Sequence, residues 1–213
     1  VKIFRFAFKN LVISEMKKII ERELIEILVQ HKLWVYSKQQ VGQQAILVEV
    51  DLQEVDWHGV DLYGAALQKC NLTRANLRGV NLTHANLSEA VLMEADLSGT
   101  SLGLTNLTHA IIDGVRLRGA GLFKTDLSNA TQREYGLHRQ IELQGAYLSG
   151  ETVLKNTDLR GACVRGACLI CDLDNTDVRN ADFRGVFSID LPTDEYLRKR
   201  FARAVTNEYT LFR

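Results

Sequence analysis

The chain has a single proline, Pro192, in 213 residues, and no net charge, because 26 Lys and Arg balance 26 Asp and Glu. Neutrality argues against a polyanion-binding protein, and equally against an acidic decoy over the whole chain. No uninterrupted apolar run is long enough to span a bilayer. The opening residues VKIFRFAFKNLVIS are broken by Lys2, Arg5 and Lys9 and lack a small-residue cleavage site, so neither a membrane partner nor a signal peptide is expected. The four cysteines do not form a disulfide framework. They read as buried thiols in a reducing compartment, which makes the protein cytoplasmic. Cys168-x-x-Cys171 has a metal-like spacing, but a zinc site needs about four ligands and no second pair lies nearby. There is no P-loop and no Gly-rich dinucleotide turn. His58, His84, His109 and His138 are dispersed. The expectation is therefore no enzyme, no cofactor and no metal.

What the chain does have is a period of five. From Leu47 to Leu127, seventeen consecutive fives carry a large apolar residue at one fixed position: Leu in fifteen of them, Trp57 and Ile112 in the others. Two residues earlier sits a small one, such as Ala65, Cys70, Ala75 and Val80. A helix buries positions three and four apart, so a period of five would wander around it. Positions i−2 and i share one side of an extended chain. Each five is thus a short extended stretch with two inward residues, followed by a corner. Such repeats bury their apolar side by stacking on neighbours. The register breaks after Thr131 and resumes at Leu143 and Leu148. It skips one residue to Leu154, continues through Leu159, Val164 and Leu169, loses one to Leu173, and ends at Val178 and Phe183.

Three segments follow: 1–44, an N-terminal extension and helix; 45–187, the repeats, interrupted by a loop at 131–140; and 188–213, a C-terminal helix and tail. Ser14 suits the cap of a helix starting near Glu15. Met16, Ile19, Ile20, Leu24, Ile27, Leu28 and His31 give that helix one apolar face, with an end near Lys32–Trp34. Met16 would also suit a natural start, with 1–15 as an upstream extension. Residues 35–44 read as a connector, and the helix is expected to cover the open end of the stack. Thr193-Asp194-Glu195 after Pro192 starts a second helix. The repeats hold 18 acidic and 13 basic residues, a net of −5, while residues 1–44 carry a net of +4.

The motif small–Asp/Asn–Leu–x–Gly, as in ANLRG (75–79), ADLSG (95–99), VDLYG (60–64) and ADFRG (181–185), resembles the pentapeptide-repeat family over about residues 45–187. The resemblance implies an all-β fold, a right-handed quadrilateral parallel β-helix with four fives per coil and short N- and C-terminal capping helices. Residues twenty apart should then stack. Two columns read Glu49, Lys69, Glu89, His109 and Glu54, Arg74, Glu94, Gly114, with alternating sign. A third reads Gly59, Gly79, Gly99, Gly119, consistent with one corner type repeated up the stack. Asn71, Asn76, Asn81 and Asn86 are read as satisfying backbone groups at corners.

The functional reading is a non-enzymatic scaffold for another protein, without direct nucleic-acid binding. Arg78, Arg116 and Arg118 are either scattered solvated surface or a basic patch for an acidic partner. Arg133, Glu134, Tyr135 and His138 belong either to a neutral insertion or to a binding loop. Phe201, Tyr209, Leu211 and Phe212 either cap the last coil or pair two chains as a homodimer. The resemblance also implies an alternative, a DNA-mimicking modulator of type II topoisomerases, with DNA gyrase or topoisomerase IV as partner. Such proteins are strongly acidic, and this chain is not.

Overall fold

The computed structural model describes residues 11–132, 141–148, 152–160, 162–169, 171, 173 and 175–186, with side chains described from Arg22 onward. Two compact units divide the chain, Val1–Ala45 and Ile46–Arg213.

In the first unit a 26-residue helix, α1 (Leu11–Tyr36), runs through a stretch without glycine or proline. It is longer than the short capping helix expected. Ser14 sits inside the first turn rather than at the cap, because nothing in Leu11–Ile13 opposes helix. The far end closes as a Schellman turn: Lys38 N–H donates to Val35 O at 3.1 Å and Gln39 N–H to Trp34 O at 2.7 Å. Lys38 and Gln39 hold φ of 55° and 71° to allow it. The following residues are not a free connector. The Ser37 hydroxyl accepts the Val41 N–H at 2.8 Å and donates to Val41 O at 3.0 Å. Gln43 N–H reaches back to Gln30 O at 3.1 Å. Ala45 N–H donates to His31 Nδ1 at 3.0 Å, and the buried His31 ring stacks on Trp34 at 5.6 Å. His31 is therefore a packing residue that also fixes the returning chain. Among the described residues no helix is long and apolar enough to cross a membrane.

The second unit is a β-helical solenoid. Every described bridge with both partners between Ile46 and Thr131 is parallel and joins residues 20 apart, as in Ala66 to Asn86 to Asn106. Leu67, Leu87 and Leu107 are consequently vertical neighbours. All 26 large apolar repeat positions are buried. The small positions are buried from Ala65 to Ala130, while Val50, Val55 and Val60 of the first coil are half-exposed. Each five contributes one bridged residue and then turns. Strands of only two residues result, β1 (Tyr147–Leu148) and β2 (Cys168–Leu169), paired in parallel.

The corners are β-turns closed by bonds such as Val60 N–H to Trp57 O at 2.9 Å and Ala65 N–H to Leu62 O at 3.0 Å. The second residue after the Leu has positive φ not only in the glycine column but in all four, for example Glu49 (62°), Arg74 (57°), Gly79 (66°) and Leu104 (58°). The glycine column is therefore one of four equivalent corners rather than a distinct type. The left-handed conformation costs a bulky side chain about 1–2 kcal/mol. Leu104 bears that cost while 42% exposed, with little burial in return. Leu104→Asn is expected to stabilise the stack by about 0.5–1 kcal/mol, because asparagine tolerates this region better. A thermal melt no higher than that of the parent would contradict the strain.

Side chains complete the backbone pairing. Asn71, Asn76, Asn81 and Asn86 accept, through Oδ1, the N–H of the second residue on, at 3.1–3.3 Å. Thr100, Thr105 and Thr125 occupy small inward positions and donate to the carbonyls of Leu77, Leu82 and Leu102 one coil below, at 2.6–2.8 Å. Buried hydroxyls are tolerated there because each is satisfied.

Thr131 still bridges Ile111, and Ile141 is fully buried. The pairing offset then rises to 26 at Arg116–Glu142 and 27 at Asp126–Val153, before becoming 19 at Asp158–Asp177. These offsets locate one insertion and one deletion in the later coils. Gln132 occupies the repeat's Leu position where the ladder is left. Its Nε2 donates to Asp158 O at 3.2 Å and Arg160 O at 3.0 Å. The side-chain amide thus takes acceptors that backbone N–H groups serve elsewhere in the stack.

Candidate interaction surface

The third Leu column, Leu77, Leu97 and Leu117, carries the three arginines Arg78, Arg116 and Arg118. Just before each Leu, bridges align Asp56, Asn76, Asp96, Arg116 and Glu142. Just after it come His58, Arg78, Ser98 and Arg118. Stacking at 20-residue intervals, not sequence proximity, assembles this surface. Asn76 Nδ2 donates to Asp56 Oδ1 at 2.8 Å. Arg78 lies 3.9 Å from Asp96. Arg118 is clamped, 2.6 Å from Glu142, and donates to Gln144 Oε1 at 3.1 Å. Arg116, half-exposed, makes no ion pair and no side-chain hydrogen bond among the described residues.

Arg78 and Arg116 line one open depression of about 390 Å³, together with Arg74, Ala75, Asn76, Glu94 and Asp96. Arg118 does not line it. The surface is therefore of mixed sign, not a continuous basic patch: every arginine cluster here has a carboxylate from the coil above or below. Arg74 at the rim bridges Glu94 (3.2 Å) and Glu54 (3.4 Å). Hydrogen bonding to Glu94, then its charge, then Glu54, hold its guanidinium above the usual value. Arg74 and Glu94 were read from the sequence only as members of a column of alternating sign, and Asp96 was not singled out, although a step of 20 from Arg116 to Asp96 to Asn76 marks the same place.

In the later coils pairing within a five is added to pairing between coils, where Arg160 lies 3.8 Å from Asp177 and Arg165 lies 3.9 Å from Asp182. Arg179 forks onto Asp177 at 2.5–3.2 Å, and Arg184 onto Asp182 at 2.6–2.9 Å. Hydrogen bonding from Arg184 holds the Asp182 carboxyl below the usual range. At Asp177 burial pushes the other way, and the Arg179 guanidinium outweighs it, leaving the carboxyl lowered.

All four cysteines are buried thiols. Cys70 Sγ donates to Leu47 O at 2.6 Å, and burial pushes its thiol up. Gln144 Nε2 donates to Cys163 Sγ at 3.0 Å. Among the described residues no group of three or more His, Cys, Asp or Glu side chains is placed to hold a metal ion. Arg133, Glu134, Tyr135 and His138, and the tail residues Phe201, Tyr209, Leu211 and Phe212, lie outside the described residues.

Residues 45–83 and 70–108 match the family model for pentapeptide repeats, in 8 copies. Among solved structures the chain is similar to HetL, a pentapeptide repeat protein involved in heterocyst differentiation regulation in the cyanobacterium Nostoc sp. strain PCC 7120. The identity is 29% over 74% of this chain and 67% of that one, with a TM-score of 0.29. A pentapeptide repeat protein of the Arabidopsis thaliana thylakoid lumen is 23% identical over 74% of this chain and 77% of its own, with a TM-score of 0.34. QnrB1, a plasmid-mediated fluoroquinolone resistance protein, is 13% identical over 78% and 94%, with a TM-score of 0.36. No curated protein matches the chain.

Proposed function

Because the chain is a member of the pentapeptide-repeat family, we propose that it is a non-enzymatic scaffold whose third column docks an acidic segment of another protein. The observation that carries this reading is Arg116. It is a half-exposed guanidinium with no ion pair among the described residues, in a depression it shares with the loosely paired Arg78. A carboxylate from a partner would complete it as a charge-assisted pair. The rigid stack beneath holds the two arginines at fixed spacing, so little ordering cost is left for the moment of binding. The hand and cross-section belong to the same reading: four fives in each 20-residue turn fit a right-handed quadrilateral β-helix. So does the compartment, since four reduced, buried thiols suit the cytoplasm.

The test is capture from native lysate by the parent protein and by R78Q/R116Q. Neutral replacements avoid piling like charge beside Asp96 and Glu142. The specific partner is expected to bind the double variant at least about tenfold more weakly. An unchanged set of bound proteins would end the proposal. The topoisomerase reading ranks second, because DNA mimicry needs a surface of one sign and this column alternates. No protection of gyrase supercoiling from a quinolone is expected at micromolar protein.

A further inference from the structure

The core of the stack does not distinguish one coil from the next. Each coil presents the same large and small inward positions, so a pairing that skips a coil keeps the Leu residues of every stacked coil inside and gives up only the burial of the 20 residues it leaves out. Side chains on the outside do distinguish the coils. The first, residues 46–65, carries Glu49, Asp51, Glu54, Asp56 and Asp61 and no Lys or Arg. The second, 66–85, carries Lys69, Arg74 and Arg78 and no acid. The third, 86–105, carries Glu89, Glu94 and Asp96 and no base. The fourth, 106–125, carries Arg116, Arg118 and Lys124 against Asp113 alone.

We propose that this coil-by-coil alternation of charge selects which coil stacks on which. In the native order it places Lys69 3.6 Å from Glu49, Arg74 between Glu54 and Glu94, and Arg78 3.9 Å from Asp96. Stacked strands are only about 4.8 Å apart, so facing charges are felt directly. A one-coil skip lays the acidic first coil on the acidic third, or the basic second on the basic fourth. Each exposed pair is weak by itself, but leaving out the second coil replaces the attractions at that junction by repulsions together, with Glu49 meeting Glu89 and Glu54 meeting Glu94, while leaving out the third sets Arg78 against Arg118. The device acts on competing arrangements as much as on the native one.

The test uses the full chain with K69E/R74E, which makes the native contact between first and second coils as repulsive as the skipped one. After refolding from denaturant, a second population is expected. In it the Asn71 and Asn76 N–H groups, which natively donate to Val50 O and Val55 O, exchange freely, while the Arg116 N–H on Ala95 O stays protected. The melting temperature should rise with added salt, whereas that of the parent falls. Adding E49K/E54K/E89K/E94K inverts both charge columns, and is expected to restore the single population and the parental salt response. One exchange population with an unchanged salt response for K69E/R74E would overturn the proposal, as would failure of the inverted columns to restore the parent's behaviour.

Discussion

Leu87→Asp is expected to abolish cooperative melting of the stack. Leu87 is fully buried in the middle of a column, between Leu67 and Leu107. The substitution removes about 1.5–3 kcal/mol of burial. It also places a carboxylate among aliphatic side chains with no cation in reach, at an effective cost of several kcal/mol more. Together these are comparable to the ~5–15 kcal/mol that holds a typical domain folded. In a solenoid each coil is supported only by its neighbours. The defect therefore separates the coils below from those above, rather than spreading evenly. Circular dichroism should show a broad, early loss of structure. Leu87→Met, of similar volume, should cost less than about 1.5 kcal/mol and keep one transition. A melt of Leu87→Asp superposable on that of the parent would mean that Leu87 does not face inward.

Gly42→Ala is expected to release the chain that returns along α1. Gly42 has φ of +81°, and a Cβ there would lie 2.3 Å from Gln30 O and 2.7 Å from Trp34 N. Both are helix backbone atoms, with no flexible side-chain end to yield. The left-handed conformation alone costs alanine about 1–2 kcal/mol. With the overlap added, the loss reaches about 3 kcal/mol or more, in the range of strained-site substitutions. The Gln43 N–H on Gln30 O and the Ala45 N–H on His31 Nδ1 should then exchange about 100-fold faster. Unaltered exchange at both amides would place Gly42 away from the helix. The repeats need not be affected, since Gly42 belongs to the first compact unit.

The two substitutions also mark what was legible in the sequence and what was not. Leu87 announces itself, because a period of five with a small residue two places earlier has one physical solution, stacked coils. The 20-residue step came with the family resemblance and agreed with the charge and glycine columns, and the corner role of Asn71 and Asn76 follows from their place in each five. Gly42 was readable only as a glycine in a polar connector. Its role depends on where Gln30 and Trp34 lie, which no local pattern encodes. The glycine column was read as one corner type repeated up the stack, and Glu49, Arg74 and Leu104 show that the other three columns share it, because closing the turn requires the same φ whatever the residue. Arg78, Arg116 and Arg118 suggested a basic patch. Stacking brought Glu94, Asp96 and Glu142 among them, and left Arg116 as the guanidinium to watch. The helix boundary at Ser14 failed because a good cap residue does not start a helix where the preceding residues are equally content to be helical.

Gln132 has a consequence beyond its own hydrogen bonds. By seating its amide on Asp158 O and Arg160 O, it ties the last described residue of the first repeat block to a coil of the second. The winding then resumes with Ile141 in the interior, whatever lies between. That makes the position a natural port for grafting. A foreign epitope spliced in after Gln132 would be displayed from a stiff shaft at a known height, without the shaft having to be rebuilt to carry it.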